Sequence, residues 1–141
     1  MKVNDCFKKR LLGRGKIDML KVKKALEMSD IKRERAEELF EKCFYEESIV
    51  SSYTSMFQAA RALLFKDGIF EKSHACVVSY LKEKYITSLG SDCISWLDTY
   101  RLERHESFYG LDPSELDKNE AKDALIKSEK FCKSVQKIVN D

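Results

Sequence analysis

The segment from Tyr45 to Lys66 constrains the fold of this chain more than any other. Its side chains repeat with the 3.6-residue period of a helix, and Arg61 is the only charged residue between Glu47 and Lys66. One face of that helix carries small residues at every third or fourth position, namely Ser48, Ser52, Ser55, Ala59 and Ala62. Because small side chains let a second backbone approach, we expect the two alanines to lie at a close helix–helix contact. This segment is predicted to be the most buried helix of the fold.

Arg61 is a lone charge in this nearly uncharged helix. Burying a guanidinium is costly unless a carboxylate or another acceptor pairs with it. We therefore expect Arg61 to be paired and largely buried.

Four more segments with a helical period account for most of the remaining chain. Three of them are Ile17–Cys43, Ile94–Gly110 and Asp117–Val139. The fourth is a stretch of 14 residues that begins at Ser73, which is a suitable N-cap. Five glycines and one proline in 141 residues leave little turn chemistry for strands and hairpins. The sequence therefore predicts an all-α fold, an antiparallel bundle of about five helices with a four-helix core and one shorter helix. We expect residues 1–141 to form a single domain.

Positive charge is concentrated at the start of the chain, although the net charge is only +2. Residues 1–35 carry 12 Lys and Arg against 5 Asp and Glu, whereas the rest carries 14 against 19. Residues 1–16 have no clear period and are interrupted by Gly13 and Gly15. This basic segment is predicted to be either a short helix or a solvated, flexible N-terminal arm, and its charge would suit contact with phosphate.

The five cysteines are an odd, scattered set without a C-x-x-C pair. No signal peptide is visible, and no stretch is apolar for long enough to cross a membrane. These features favour a reduced, cytoplasmic protein whose cysteines act as small apolar side chains. We expect five free thiols in the folded chain.

The predicted helix at Ile94–Gly110 continues its apolar stripe with charged and polar groups. At about 100° per residue, Arg101, Arg104 and His105 fall in the same arc as the apolar residues of its first half, and Tyr109 lies just beside it. The final glycine suits a C′ cap. Either these groups pair with carboxylates inside the bundle, or they line a cleft where apolar packing stops.

Among these four groups, arginine and histidine together are the minimum for cleaving RNA without a metal. Arginine binds phosphate as a permanent cation, histidine moves a proton near neutral pH, and tyrosine orients a phosphate or stacks on a base. In such a reaction the ribose 2′-hydroxyl attacks phosphorus while a base takes its proton and a cation stabilises the developing charge. A salt-bridge network is the structural alternative for the same residues.

A metal site is not expected. His74 and Cys76 lie two residues apart and would face different sides of a helix. His105 has only Glu106 as a near neighbour of ligand type, and that side chain points elsewhere. The chain has no glycine-rich phosphate loop and no G-x-S-x-G or H-E-x-x-H motif, so we expect no cofactor.

The central stretch SSYTSMFQAARALLFKDGIFEKSH resembles the HEPN family (higher eukaryotes and prokaryotes nucleotide-binding domain). A prokaryotic branch of that family has a Y-x-A-M-F-x-A-A-R-A-L-L helix followed by a G-x-x-x-K-S-H turn. The matching positions are Tyr53, Met56, Phe57, Ala59–Leu64, Gly68, Lys72, Ser73 and His74. The later pattern Y-R-x-x-R-H-x-x-x-Y-G is similar to the same branch, and the resemblance covers roughly residues 17–140.

This resemblance implies an antiparallel helical bundle that is usually a homodimer. Many members of the family are RNase toxins whose partner is a small antitoxin of the nucleotidyltransferase fold, and others are thought to bind nucleotides or RNA without cutting. For this chain the resemblance implies a toxin-type protein that binds RNA or nucleotide. If the protein is catalytic, the implied activity is metal-independent cleavage of RNA by an endoribonuclease. The alternative is a non-catalytic partner module for a nucleotidyltransferase.

The catalytic motif of the family is an arginine followed, after four to six residues, by a histidine, often with a tyrosine two residues further on. Here three residues separate Arg101 from His105, and Tyr109 lies four beyond the histidine. Positions i and i+4 are neighbours on a helix, so the arginine and histidine stay close. By resemblance, Arg101, His105 and Tyr109 are the catalytic candidates, and Arg101 and Arg104 bind phosphate or RNA. We expect them to line a groove at a two-fold interface.

Overall fold

The computed structural model describes residues 1–112 and 116–141, and the intervening residues 113–115 lie outside this description. The described residues form seven helices and two short strands. The helices are α1 (Val3–Lys8), α2 (Met19–Glu41), α3 (Tyr45–Lys66), α4 (His74–Lys84), α5 (Ile86–Leu89), α6 (Ser91–Tyr109) and α7 (Lys118–Asn140). The strands are β1 (Leu12–Arg14) and β2 (Ile69–Glu71). The predicted all-α class is confirmed, because the strands form only a small two-stranded sheet beside the helical bundle.

The helix α3 lies at the centre of the bundle and begins and ends at the predicted residues. It packs against α2, α6 and α7, and most of its side chains are buried. Its small-residue face meets α2 through a reciprocal pair of hydrogen bonds. Ser29 Oγ donates to the carbonyl oxygen of Ser55 at 2.8 Å, and Ser55 Oγ donates to that of Ser29 at 2.7 Å. These bonds hold the two helix backbones close together.

Two further serines of α3 make the same kind of contact with α2. Ser48 Oγ donates to the carbonyl oxygen of Ala36, and Ser51 Oγ donates to that of Lys32, both at 2.8 Å. A buried hydroxyl is costly without a partner, and these carbonyl oxygens supply one. The small polar side chains therefore join the two helices.

The alanines on the same face are fully buried, as the sequence predicts. Ala59 and Ala62 are both 0% exposed. Ala62 packs with Val22 and Ala25 of α2. The predicted close helix–helix contact is confirmed for Ala62, and Ala59 lies in the main core of the bundle.

The N-terminal segment is folded onto the bundle. The strand β1 pairs in antiparallel register with β2, with Gly13 opposite Phe70. Cys6 and Leu12 are buried, at 0% and 2% exposure. Of the two alternatives for residues 1–16, the structure has the short helix α1, and the solvated, flexible arm is wrong because these apolar side chains and the strand pairing anchor the segment.

The connection between α3 and β2 depends on a glycine. Gly68 has a φ of +72°, in the left-handed region, and a Cβ at this position would lie 2.6 Å from the carbonyl oxygen of Gly15. Gly15 N donates to the carbonyl oxygen of Gly68 at 2.7 Å. The missing side chain at Gly68 thus lets the N-terminal segment approach the end of α3.

The expectation of five free thiols is wrong. Cys6 of α1 and Cys76 of α4 form a disulfide whose Cα atoms are 5.9 Å apart. Cys43, Cys93 and Cys132 are free. The two bonded cysteines are 70 residues apart in the sequence, so no local spacing reveals that α1 packs against α4.

The end of α6 is where the sequence predicts it, although not for the predicted conformational reason. The helix stops at Tyr109, but Gly110 has a φ of −69° and is extended. A Cβ on Gly110 would lie 2.5 Å from the carbonyl oxygen of Glu106, which accepts a hydrogen bond from Gly110 N at 2.7 Å. A close backbone approach therefore favours glycine here.

Replacing Ala59 with leucine should destabilise the bundle. The larger side chain has no room at a fully buried position, so we expect Ala59→Leu to lower the free energy of unfolding in urea by about 1–3 kcal/mol. The matched control is Ala75→Leu on the exposed surface of α4, which should change it by no more than about 0.5 kcal/mol. Equal stability of the two variants would contradict the close contact.

The disulfide predicts a specific thiol count. The protein denatured without a reductant should show three reactive thiols per chain in a thiol assay. The protein reduced before denaturation should show five. Because the bond closes a long loop in the unfolded chain, reduction should also lower the free energy of unfolding by about 2–4 kcal/mol. A count of five without reductant would refute the bond.

Candidate functional site

The helix α6 divides into a buried half and an unburied half. Its buried side chains are Ile94, Leu97 and Tyr100. From Arg101 to Tyr109 every side chain is partly or fully exposed. The predicted arc is therefore present, and its polar part begins where the helix leaves the core.

Arg101 is held within its own helix. Its Nε donates to Asp98 Oδ1 at 2.9 Å, and the two side chains are 26% and 34% exposed. Asp98 lies one turn earlier in α6, so the pair does not tie α6 to another element. A partly solvated ion pair of this kind contributes little to stability, about 0–1 kcal/mol, and leaves the guanidinium at the surface.

Arg104, His105 and Tyr109 complete the predicted group on the following turns. The guanidinium of Arg104 lies 4.9 Å from the ring centroid of Phe108, and the ring centroids of His105 and Tyr109 are 4.8 Å apart. Tyr109 is 70% exposed. Within residues 1–112 and 116–141, neither Arg104 nor His105 forms an ion pair, so the salt-bridge alternative describes Arg101 alone.

A second cluster lies where α3 meets the start of α4. The hydroxyl of Tyr53 is hydrogen-bonded to His74 Nδ1 at 2.6 Å. The ring of His74 stacks on that of Phe57 with centroids 3.9 Å apart and an interplanar angle of 4°. Tyr53 is 1% exposed, and His74 is the first residue of α4, directly after its capping Ser73. We refer to these contacts as the Tyr53–His74 cluster.

The positive charges of α6 reach this cluster. Burial is the largest cause that lowers the pKa of His74 from 6.5 to about 4, and the charges of Arg104, Arg101 and Arg61 act in the same direction. Burial raises the pKa of Tyr53, and the charges of Arg104 and Arg101 partly oppose this rise. His74 is therefore a neutral ring at pH 7, next to arginines on two helices.

Arg61 is paired as predicted but is less buried than predicted. Its Nε donates to Glu71 Oε1 at 2.5 Å and its Nη1 donates to Gln58 Oε1 at 3.3 Å. The side chain remains 31% exposed, and its guanidinium lies 5.0 Å from the ring centroid of Phe65. The pairing is confirmed, and about a third of the side chain is exposed where a largely buried one was predicted.

Sequence reasoning missed His74 as a functional candidate. In the sequence it is the last residue of a family motif and a rejected metal ligand, and its partner Tyr53 is 21 residues away. The available signal was the pattern of α3, in which Tyr53, Phe57 and Arg61 recur every fourth residue. Tyr53 and Phe57 of that stripe contact His74 at the start of α4, a contact that only the fold reveals.

The described residues offer neither a cluster of metal ligands nor a membrane-spanning helix. Among them, no group of three His, Cys, Asp or Glu side chains is arranged to hold a metal ion. None of the described helices combines the length and the apolar character that crossing a lipid bilayer would need.

The fold and the site together define an all-α bundle with a cationic surface at the end of one helix, next to the hydrogen-bonded pair of buried Tyr53 and half-buried His74. Residues 22–138, most of the chain, match the family described as HEPN domain. The chain therefore belongs to the HEPN family. No curated protein matches its sequence.

His74 should make the stability of the protein depend on pH. The unfolded chain binds a proton at this histidine near pH 6.5, whereas the folded chain does not until about pH 4. Stability should therefore fall as the pH drops from 6.5 towards 4, because the unfolded state binds more protons in that window. Urea unfolding at about pH 7 and about pH 5 measures this effect. Between these two pH values, the free energy of unfolding should fall less for His74→Gln than for wild type.

The matched control for this experiment is His105→Gln. It removes the other histidine of the chain from an exposed position. It should keep the wild-type loss of stability between the two pH values. If His74→Gln loses as much stability as wild type, His74 is not the group that titrates.

Proposed function

We propose that this HEPN protein binds RNA or nucleotide phosphate at the unburied half of α6. The observation that carries the proposal is the open surface formed by Arg101, Arg104, His105 and Tyr109, where two cations stand beside two exposed or partly exposed rings. Arginine presents a planar set of donors that suits phosphate oxygens, and exposed rings can stack on bases. Membership of the HEPN family supports a role with RNA or nucleotides.

In its catalytic form, the proposed activity is metal-independent endoribonuclease cleavage. His105 would take the proton of a ribose 2′-hydroxyl as that oxygen attacks the adjacent phosphorus. Arg101 would stabilise the charge on the phosphoryl oxygens, and Tyr109 would orient the phosphate or the base. The bond from phosphorus to the 5′-oxygen breaks, that oxygen takes a proton from water, and His105 releases its proton to solvent, so the products carry a 2′,3′-cyclic phosphate and a 5′-hydroxyl.

The proposed biological role is that of the toxin-type member of a toxin–antitoxin pair, with a small nucleotidyltransferase-fold protein as antitoxin. We further propose that the protein acts as a homodimer. The end of α6 supports this assembly, because Leu102, Phe108, Tyr109 and Leu111 are 56–100% exposed there. An exposed apolar group of this kind suits a contact with a second copy.

The second candidate is a non-catalytic module that binds a nucleotidyltransferase. The contact between Arg101 and Asp98 favours it, because an arginine already paired within α6 is less available to a phosphate. In this case the exposed end of α6 would bind a protein surface, and RNA would be neither cleaved nor tightly bound.

Purified protein incubated with labelled single-stranded RNA in EDTA separates these candidates. For the enzyme, we expect His105→Ala to reduce cleavage by about 10²–10⁴-fold while RNA binding is largely kept, because both arginines remain. Arg101→Ala should weaken binding and reduce the slope of log K against log salt by about 1. The matched control is Arg35→Ala, which removes an exposed arginine from α2 and should change neither property.

The outcomes identify the function. Cleavage that needs His105 and yields 2′,3′-cyclic phosphate ends supports the enzyme, and retention of RNA without cleavage supports a binding protein. RNA binding that is unaffected by Arg101→Ala would contradict the α6 site. Cleavage that persists in His105→Ala would indicate another nuclease in the preparation.

A further inference from the structure

A cleft with a volume of about 400 Å³ lies between the start of α2, the end of α3 and β2. We call it the α2–α3 cleft. Its walls combine three cations, one carboxylate and two aromatic rings. These residues are Lys21, Lys24, Arg61, Glu71, Phe65 and Phe70. Small-molecule sites commonly have volumes of about 300–1,000 Å³, so the cleft is large enough for one small ligand.

The two phenylalanines form an aromatic wall that is already in contact with cations. Lys21 Nζ lies 5.7 Å from the ring centroid of Phe65 and 5.3 Å from that of Phe70. The ring of Phe70 packs directly against Gly15, where a Cβ would lie 2.2 Å from a ring atom, so a glycine at this position leaves room for the ring. Lys21 is exposed on a flexible stem, so a flat ligand ring can replace its ammonium group on this wall.

Arg61 is the oriented cation of the cleft. Glu71 and Gln58 accept hydrogen bonds from two of its three nitrogens, Nε and Nη1. Its guanidinium also lies 5.0 Å from the ring centroid of Phe65. These contacts fix the plane of the guanidinium in advance, and Nη2 is the donor that the two hydrogen bonds leave unused. A cation that is already oriented loses little freedom when it binds an anion.

The charges of the cleft select a dianion. Lys21, Lys24 and Arg61 are positive and Glu71 is negative, so the walls carry two uncompensated positive charges. A phosphate monoester carries about −1.5 to −2 charges at neutral pH. The adjacent aromatic wall favours a ligand whose phosphate is attached to a flat ring system.

We propose that the α2–α3 cleft binds a small phosphate monoester that carries an aromatic ring, of which a mononucleotide is the representative probe. The phosphate contacts Lys21, Lys24 and Arg61, and the ring lies against Phe65 and Phe70. The cleft contains none of the four α6 residues of the proposed function, so the two proposals can fail separately.

Calorimetric titration at fixed ionic strength tests the proposal with three probes: adenosine 5′-monophosphate, adenosine and inorganic phosphate. Because the cleft offers both a ring wall and cations, we expect the monophosphate to bind at least about tenfold more tightly than either fragment. The variant Lys21→Ala/Lys24→Ala should weaken its binding by about tenfold or more. The matched control is Lys23→Ala, which removes an exposed lysine from α2 that does not line the cleft.

A second variant tests the aromatic wall independently of charge. Phe70→Leu keeps an apolar side chain on β2 but removes the ring. It should weaken binding of adenosine 5′-monophosphate and leave binding of inorganic phosphate unchanged. Circular dichroism of each variant verifies that the bundle is folded before the titrations are compared.

Four results would overturn the proposal. One is that adenosine 5′-monophosphate binds no more tightly than inorganic phosphate. Another is that Lys23→Ala and the variant Lys21→Ala/Lys24→Ala lose the same affinity for the monophosphate. A loss in Arg101→Ala as large as that in the double variant would place the ligand at α6 instead. Competition by an RNA oligomer with a 5′-hydroxyl, as strong as that by the monophosphate, would indicate that the cleft binds an RNA strand.

Discussion

The hydrogen bonds between the serines of α3 and the backbone of α2 are the contact on which the rest of the structure depends. Ser29 and Ser55 each donate to the carbonyl oxygen of the other, and Ser48 and Ser51 add two more bonds along the same seam. Larger side chains at these positions would separate the helices, and apolar ones would leave the carbonyls without these donors. Close packing of α2 on one side leaves another side of α3 for α7 and α6.

The two proposed sites depend on the side of α3 that does not pack against α2. Once the small-residue face is used for α2, the stripe of Tyr53, Phe57, Arg61 and Phe65 lies along another side of the helix. Its first half contacts His74 and comes under the influence of the α6 arginines. Its second half forms a wall of the α2–α3 cleft. One central helix therefore carries parts of both chemical environments, and its rigidity fixes their separation.

Local patterns predicted the long helices well, and contacts between distant segments could not be predicted. The uncharged run with small residues gave the bounds of α3, and Ser73 and Asp117 mark the starts of α4 and α7 because their side chains cap them. The pairing of β1 with β2 and the bond between Cys6 and Cys76 join segments more than 50 residues apart. Helical periodicity contains no information about such pairs, and the same limit hid the contact between Tyr53 and His74.

The position of β1 has a consequence for synthesis of the chain. Residues 1–16 are synthesised before their partners, because β2 and Cys76 follow α2 and α3 in the chain. During that interval the segment has an unpaired strand edge and a free thiol, which are features that promote aggregation of nascent chains. The interval ends once β2 and α4 have been made, because both partners of the segment are then present.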